Sequence, residues 1–256
     1  MAWSATQYLK FEDQRTRPVR DLMSAVPTAD AHAVMDIGCG PANSTQVLAE
    51  RYPDARISGF DSDPDMIAAA RQRLPDGDFT LSSLDDWAPE TRYDVILSNA
   101  VLHWIPDHAA LLPRLASYLS PGGTLAIQMP NNLLQASHIA MCEIAGRPEW
   151  AYKLSPDMAR RTPIYEPGWY FDVLQPHCSA IDIWQTTYCH HLPGGTDAIV
   201  EWFRGSALRP FLAVLDDAER ARFLGQYRAA IASAYPPMKD GSVLLPFPRL
   251  FIAATR

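Results

Sequence analysis

The sequence predicts an α/β fold: a mostly parallel sheet with its last strand antiparallel, flanked by helices and carrying helical cap insertions. Three observations predict it. Short apolar runs alternate with helical segments from Ala33 to Met129, and such alternation closes into a parallel sheet through right-handed crossovers. The first apolar run stops at a glycine turn, Gly38-Cys39-Gly40, before the next helix. Two β-rich stretches, Ser179–His191 and Val243–Ala254, come late and read as the strands that complete the sheet.

Each element has a local reason. Tyr8 to Val26 carries apolar residues at helical spacing and ends at Pro27. Ala33–Ile37 is a short buried strand, followed by a helix over Asn43–Arg51 with Asn43 or Ser44 as cap. Arg56–Phe60 is the second strand, and Pro64–Leu74 a helix with proline at its start. Asp78–Leu81 is a weak third strand, Tyr93–Ser98 a strong fourth, and His108–Leu119 a helix. Pro121-Gly122-Gly123 is expected to turn into the fifth strand, Thr124–Met129. Asn131–Pro176 reads as irregular helices and Thr196–Tyr235 as helical. A single domain is expected over 1–256: an N-terminal helical cover (1–30), a binding core (31–130), cap insertions (131–178 and 193–240) and final strands (179–192 and 241–256). Cover and cap are expected over the carboxyl edge of the sheet.

The chain has 256 residues, 48% of them apolar and 20% charged, enough for one sizeable core with additions. No apolar run approaches the ~20 residues that span a bilayer, and the first twenty residues do not read as a signal peptide. Cys39, Cys142, Cys178 and Cys189 are scattered without metal-ligand spacing, which predicts a reduced, cytoplasmic protein with no metal. A net charge of −7 without a basic run argues against nucleic-acid or anionic-membrane binding through bulk electrostatics. The expected partner is a small molecule, and an anionic one needs a local basic pocket.

In an open parallel sheet, ligands bind outside the carboxyl ends of the strands. Here the first strand runs into Asp36-Ile37-Gly38-Cys39-Gly40-Pro41-Ala42-Asn43-Ser44. Gly38 and Gly40 allow a tight turn and a close ligand approach, although such a pair also serves ordinary strand-to-helix turns. The dinucleotide fingerprint Gly-x-Gly-x-x-Gly fails, because Asn43 stands at its third glycine. That opposes a nicotinamide dehydrogenase. Asp36, two residues before Gly38, would face a pyrophosphate unfavourably and suits an ammonium group. Asp61 ends the second strand, where a carboxylate accepts ribose hydroxyls. Adenosine joined to a cationic amino acid, without phosphates, describes S-adenosylmethionine.

Asp36–Ser44, Asp61 and the Asp94–Asn99 strand resemble the class I S-adenosylmethionine-dependent methyltransferases, whose sheet is Rossmann-like. A closer resemblance, to the trans-aconitate 2-methyltransferase family, rests on segments spread along the chain. These are Tyr8-Leu9 with Arg15-Thr16-Arg17-Pro18, the glycine loop with Asn43-Ser44-Thr45, and Leu102 to His108 (Leu-His-Trp-Ile-Pro-Asp-His). Gln128-Met129-Pro130, Leu208-Arg209-Pro210 and Phe247-Pro248-Arg249-Leu250-Phe251 complete the set.

The resemblance implies a role for each matching residue. Gly38 and Gly40 would pack under the methionine part of the cofactor, with Asp36 near its amino group and Asn99 facing the same part. Asp61 would take the ribose hydroxyls, and Ser62 and Met66 would lie near the adenine. Ser83 falls where the class usually has an acidic residue for the adenine amino group; the Leu84 backbone N–H would reach the ring, and Asp85 is the alternative acid. Arg17, or Arg15, would pair with the cofactor carboxylate, unless it simply faces solvent.

The implied reaction is methyl transfer to a carboxylate of trans-aconitate, giving a monomethyl ester and S-adenosylhomocysteine. A carboxylate is ionised at neutral pH, so no general base and no catalytic side chain is expected; His103 and Trp104 would position the reactants. Arg209, Arg249, Tyr188 and His190, with His103 and Trp104, are the candidate substrate contacts. For the arginines a buried pair with Asp197 or Glu201 is the competing reading. For His103 it is a core or capping histidine, for Trp104 core packing, and for Tyr188 and His190 simple strand residues. Alternatives for the whole chain are a methyltransferase acting on another small acid, a phenol or a quinone, and a non-catalytic protein that binds S-adenosylmethionine.

Overall fold

The computed structural model describes residues 12–159 and 164–256. The expected helical start at Tyr8–Phe11 and the side chain of Arg15 lie outside the described residues. The helices are α1 (Glu12–Ala25), α2 (Asn43–Arg51), α3 (Pro64–Arg73), α4 (His108–Ser117), α5 (Ala136–Ala145), α6 (Pro167–Leu174), α7 (Gly195–Arg204), α8 (Arg209–Ala213) and α9 (Asp217–Ala234). The strands are β1 (Ala33–Ile37), β2 (Arg56–Asp61), β3 (Asp78–Leu81), β4 (Tyr93–Asn99), β5 (Leu119–Pro130), β6 (Ala180–Leu192) and β7 (Val243–Thr255).

The strands form one seven-stranded sheet in the order β3-β2-β1-β4-β5-β7-β6. Strands β1 to β5 pair in parallel. β7 runs the other way. Arg256 N–H donates to Gly123 O at 2.9 Å and Asn131 N–H to Pro248 O at 2.9 Å, so numbers rise along β5 as they fall along β7. The sheet is therefore mostly parallel with its last strand antiparallel, as the sequence predicts. The strand order reverses between β1 and β4, the topological switch point where open α/β sheets leave a crevice.

The described residues fall into two compact units. One takes those within Met1–Pro130, Thr162–Thr186 and Leu250–Arg256; the other takes those within Asn131–Arg161 and Thr187–Arg249. In the first, one sheet face buries Met35, Ile37, Ile96, Leu125 and Ile127 with Leu111, Leu112 and Leu115 of α4 and Tyr170 and Leu174 of α6. Each such side chain contributes about 1.5–3 kcal/mol by leaving water. A smaller cluster joins Cys39, Ala42, Ile67, Ala70 and Phe79. Helix α1 buries Val19, Leu22, Met23 and Val26. In the second unit, Trp150, Phe211, Phe223, Tyr227 and Ile231 are fully buried.

Two sequence expectations need correction. Pro121-Gly122-Gly123 is not a turn ahead of the strand but a bulge inside β5. The pairing moves from Tyr93↔Leu119 to Val95↔Thr124, so β5 spends extra residues there. The cause is long-range: Gly122 N–H donates to Arg256 O at 3.0 Å and draws the segment into the sheet. The helical run expected over Thr196–Tyr235 is three helices. Helix α7 stops at Gly205, and Asp216 starts α9 with a capping box in which it accepts from Glu219 N–H while the Glu219 side chain accepts from Asp216 N–H.

The bulge makes a testable distinction between adjacent glycines. A Cβ on Gly123 would sit 2.9–3.0 Å from the carbonyl oxygens of Tyr93, Asp94 and Ser120, whereas one on Gly122 (φ 77°) meets open space. Gly123→Ala is expected to cost about 1–3 kcal/mol through overpacking against backbone, and Gly122→Ala about 1 kcal/mol through left-handed strain. Urea unfolding of both variants checks the order; equal costs would contradict it.

Candidate active site

A cavity of about 500 Å³ opens at the tips of β1, β2 and β4, within the size range of small-molecule sites. Its floor is the loop between β1 and α2. Gly38 (φ 65°), Gly40 (φ 54°) and Ala42 (φ 66°) alternate through left-handed backbone to turn the chain from strand to helix. At Gly38 the room a Cβ would take is already filled by the Val101 side chain. At Gly40 a Cβ would meet nothing within 4 Å, so this residue keeps its face open to the cavity it lines.

Two carboxylates hold this loop. Asp61 Oδ2 accepts from Gly40 N–H at 3.0 Å and its Oδ1 from Asp63 N–H at 2.9 Å. Burial pushes its pKa up, and these two backbone donors work against that shift. Asp61 lines the cavity and retains lone pairs on both oxygens for further donors. Asp36 is fully buried. Its Oδ2 accepts from Ser44 Oγ and Thr45 Oγ1, both at 2.7 Å, which fixes the start of α2 to β1. No hydrogen-bond donor among the described residues reaches its Oδ1. Burial raises its pKa to about 7, against the pull of the two hydroxyls.

Asn99 ends β4 and lines the cavity, and its Oδ1 is likewise buried without a hydrogen-bond donor. Asp36 pairs with Leu97 in the parallel ladder, so Asp36 and Asn99 project from the same sheet face on neighbouring strands. Two orphaned acceptors thus sit at the switch point. A buried acceptor without a donor costs about 1–3 kcal/mol, more when charged, which marks a place prepared for a ligand donor.

The remaining expected residues divide. Ser62, Met66, Ser83 and Leu84 line the cavity with Gly38, Gly40, Asp61 and Asn99. The Ser83 hydroxyl is already engaged, donating to Asp86 Oδ2 at 2.6 Å and accepting from Asp86 N–H; Asp85, exposed, brings a carboxylate to the lining. Trp104 lines the cavity and is 46% exposed, but His103 is buried, packs on Trp104 at 4.8 Å and is not in the lining. Arg17 lies elsewhere. It is exposed, 3.8 Å from Asp21, and borders a separate concavity with Arg20, Asn43 and Arg73. Its helical phase, set by the buried Val19–Met23 side, turns it outward there.

Tyr188, His190 and Arg249 belong to the second unit and are buried together. Tyr188 and His190 share a face with exposed Cys189 on the other, as alternation predicts. The Arg249 guanidinium lies 4.8 Å from the Phe247 ring centre and 5.9 Å from that of Tyr188, while His190 stacks on Trp202. Arg209 is half-buried at the start of α8. Asp197, one partner considered for these arginines, pairs instead with Arg228. Among the described residues no cluster of histidine, cysteine, aspartate or glutamate could hold a metal, and no helix is long and apolar enough to cross a membrane.

The sequence reading missed Val101 and Ile105 as cavity residues. The only signal was their place beside His103-Trp104, just after a strand tip.

Residues 9–183 match a family model described as a methyltransferase domain. The solved structure of YcgJ from Bacillus subtilis shares the fold, with a TM-score of 0.59 and 12% identity over 94% of this chain and 98% of that one. Coclaurine N-methyltransferase bound to N-methylheliamine and SAH gives a TM-score of 0.57 and 15% identity over 93% and 72% of the two chains. A seven-stranded sheet with one antiparallel strand and a glycine-floored cavity at its switch point define a Rossmann-like class I methyltransferase. Trans-aconitate 2-methyltransferase from Methylobacterium nodulans is 52% identical over 99% of this chain and 98% of its own length; that from Agrobacterium fabrum is 48% identical over the whole of both. The chain belongs to the trans-aconitate 2-methyltransferase family.

The burial of Asp36 sets a pH dependence. Between about pH 4 and 7 the folded chain holds a proton on Asp36 that the unfolded chain releases, so stability falls as pH rises through that window and levels off above it. The unfolding free energy of the wild type, referenced to Asp36→Asn, is expected to decline from pH 4 to pH 7 in the ligand-free protein. Parallel profiles for the two proteins would remove this assignment.

Proposed function

We propose that the protein transfers the methyl group of S-adenosylmethionine to a carboxylate of trans-aconitate, releasing a monomethyl ester and S-adenosylhomocysteine. The observation that carries the cofactor half is the acceptor set at the strand tips. Orphaned Asp36 Oδ1 and Asn99 Oδ1 suit an ammonium group, and Asp61, beside the open face of Gly40, suits ribose hydroxyls. A pyrophosphate would meet the carboxylates of Asp36 and Asp61 there unfavourably. Ser62, Met66 and Leu84 would flank the adenine, with Ser83 or Asp85 at its amino edge. The substrate half is supported by the activity named for the relatives, at 48–52% identity over essentially the whole chain.

When bound, S-adenosylmethionine supplies an electrophilic methyl on a cationic sulfur. The chain's own task is then modest in chemistry and strict in geometry. A carboxylate nucleophile is already ionised, since carboxylic acids titrate near ~4, and no side chain has to remove a proton. Positioning and exclusion of water carry the rate. Opposite charges neutralise each other in the transition state, so tight pairing of the reacting carboxylate would stabilise the ground state and slow transfer. Cationic and hydrogen-bonding groups are better used on the other carboxylates. Arg249, Tyr188 and His190, and Arg209 at the start of α8, are proposed for that role, with Trp104 at the cavity wall.

A radiolabelled methyl-transfer assay against trans-aconitate, cis-aconitate, isocitrate and a phenol, with mass analysis of the product, tests the function. A trans-aconitate monomethyl ester is expected as the leading product; transfer to the phenol alone would contradict it. Asp61→Ala is expected to weaken S-adenosylhomocysteine binding by roughly 1–3 kcal/mol, the worth of its lost hydrogen bonds, measured by calorimetric titration. Arg249→Gln is expected to raise KM for the acid about tenfold or more, with cofactor affinity little changed, as loss of one charged contact. Unaltered acid kinetics would take Arg249 out of the substrate site.

A further inference from the structure

Outside the lining, the first unit contains a buried polar chain that the function above does not use. His108 is 1% exposed at the start of α4. Its Nε2 lies 2.8 Å from the carbonyl oxygen of Leu102, and its Nδ1 lies 3.1 Å from the hydroxyl of Tyr170 on α6. A carbonyl only accepts, so Nε2 must carry a hydrogen. In the neutral ring Nδ1 is then an acceptor, and the Tyr170 hydroxyl donates to it. Tyr170 is fully buried, and burial pushes its phenol up to about 12, which keeps it a donor. The two contacts therefore pin one neutral tautomer.

The carbonyl that His108 holds is placed to matter. Leu102 O also accepts from Ile105 N–H at 2.9 Å, and Val101 O from Trp104 N–H at 2.9 Å, forming the turn between β4 and α4. This turn presents Val101, Trp104 and Ile105 to the cavity, and the Val101 methyl groups occupy the space over Gly38. His108 ties both ends of the turn together, because it reaches back six residues from the first turn of α4. Asp107, just before it, takes left-handed backbone (φ 57°) and accepts from Ala110 N–H, so the segment bends sharply enough to allow this. Around the ring, Tyr165 packs at 6.3 Å, and Tyr165 in turn stacks on Trp169 at 4.1 Å.

We infer that His108 and Tyr170 are positioning residues for the cofactor cavity: the Tyr170–His108–Leu102 hydrogen-bond chain sets the wall formed by Val101, Trp104 and Ile105 from the far side, by way of α6. The inference rests on reading that cavity as the S-adenosylmethionine site. Neither side chain touches the reacting atoms; each acts through the Leu102 carbonyl. A purely structural role would lower stability and leave ligand affinity alone.

The test combines Tyr170→Phe, His108→Gln and His108→Leu in the full chain. Nitrogen NMR is expected to show His108 as the Nε2–H tautomer in the wild type and still in Tyr170→Phe, where the Leu102 carbonyl continues to require it. Titration with S-adenosylhomocysteine is expected to show on the order of tenfold weaker binding in Tyr170→Phe, the worth of one buried hydrogen bond. The KM for S-adenosylmethionine is expected to rise alongside, by a larger factor than the KM for the acid. His108→Gln, which keeps an amide donor for Leu102 O, is expected to recover affinity relative to His108→Leu. A wild type that binds S-adenosylhomocysteine, with unchanged affinity in Tyr170→Phe, overturns this inference alone. A wild type that does not bind it overturns the cofactor reading and this inference together. Should His108→Leu not fold, Tyr170→Phe decides by itself.

Discussion

The hydrogen bond from Gly40 N–H to Asp61 joins the tips of β1 and β2, and much of the site depends on it. It helps hold the loop after β1 in its alternating left-handed path, which Gly38 and Gly40 tolerate and which is unfavourable at Ala42. Asp36 holds the same loop from inside by gripping Ser44 and Thr45. One acid therefore lines the cavity and the other is buried with one oxygen lacking a donor, and together they hold the glycine backbone in place. The same two acids are electrically costly. Burial raises both of their pKa values, so the loop is held by groups that would gain from a cationic or donor ligand nearby.

Strain is concentrated where the ligand would sit. Among the described residues the non-glycine positions with positive φ are Ala42, Ala100 and Asp107. They lie at the end of the glycine loop, the tip of β4 and the start of α4. Each costs on the order of 1 kcal/mol or more. The well-packed sheet below, with Ile37, Ile96 and Ile127 fully buried, supplies the stability that tolerates this. Rigid strands thus carry a strained rim, and the ends of β1 and β4 carry the unsatisfied acceptors.

Most of the strand and helix pattern was legible because it depends on local periodicity. Tyr93–Asn99 and Ala33–Ile37 announce themselves as apolar runs, and Gly38, Gly40 and Asp61 as a spacing. What depends on distant partners was not legible. The Pro121-Gly122-Gly123 bulge exists because Arg256, at the other end of the chain, pairs with it. Arg17 sits outside the cavity because the buried residues of α1 fix its phase. His103 and Trp104 are neighbours in sequence, yet one is buried and the other lines the cavity, a split decided by a single short 3₁₀ turn. The pairing of His108 with Tyr170 spans 62 residues, and no local pattern encodes it.

The most direct measurement is a crystal structure of the protein with S-adenosylhomocysteine. The ribose hydroxyls should fall on Asp61 and the ammonium group between the free oxygens of Asp36 and Asn99, with the adenine beside Met66. A nucleoside bound away from the β1 and β2 tips, or one whose ammonium group avoids both orphaned oxygens, would contradict the account.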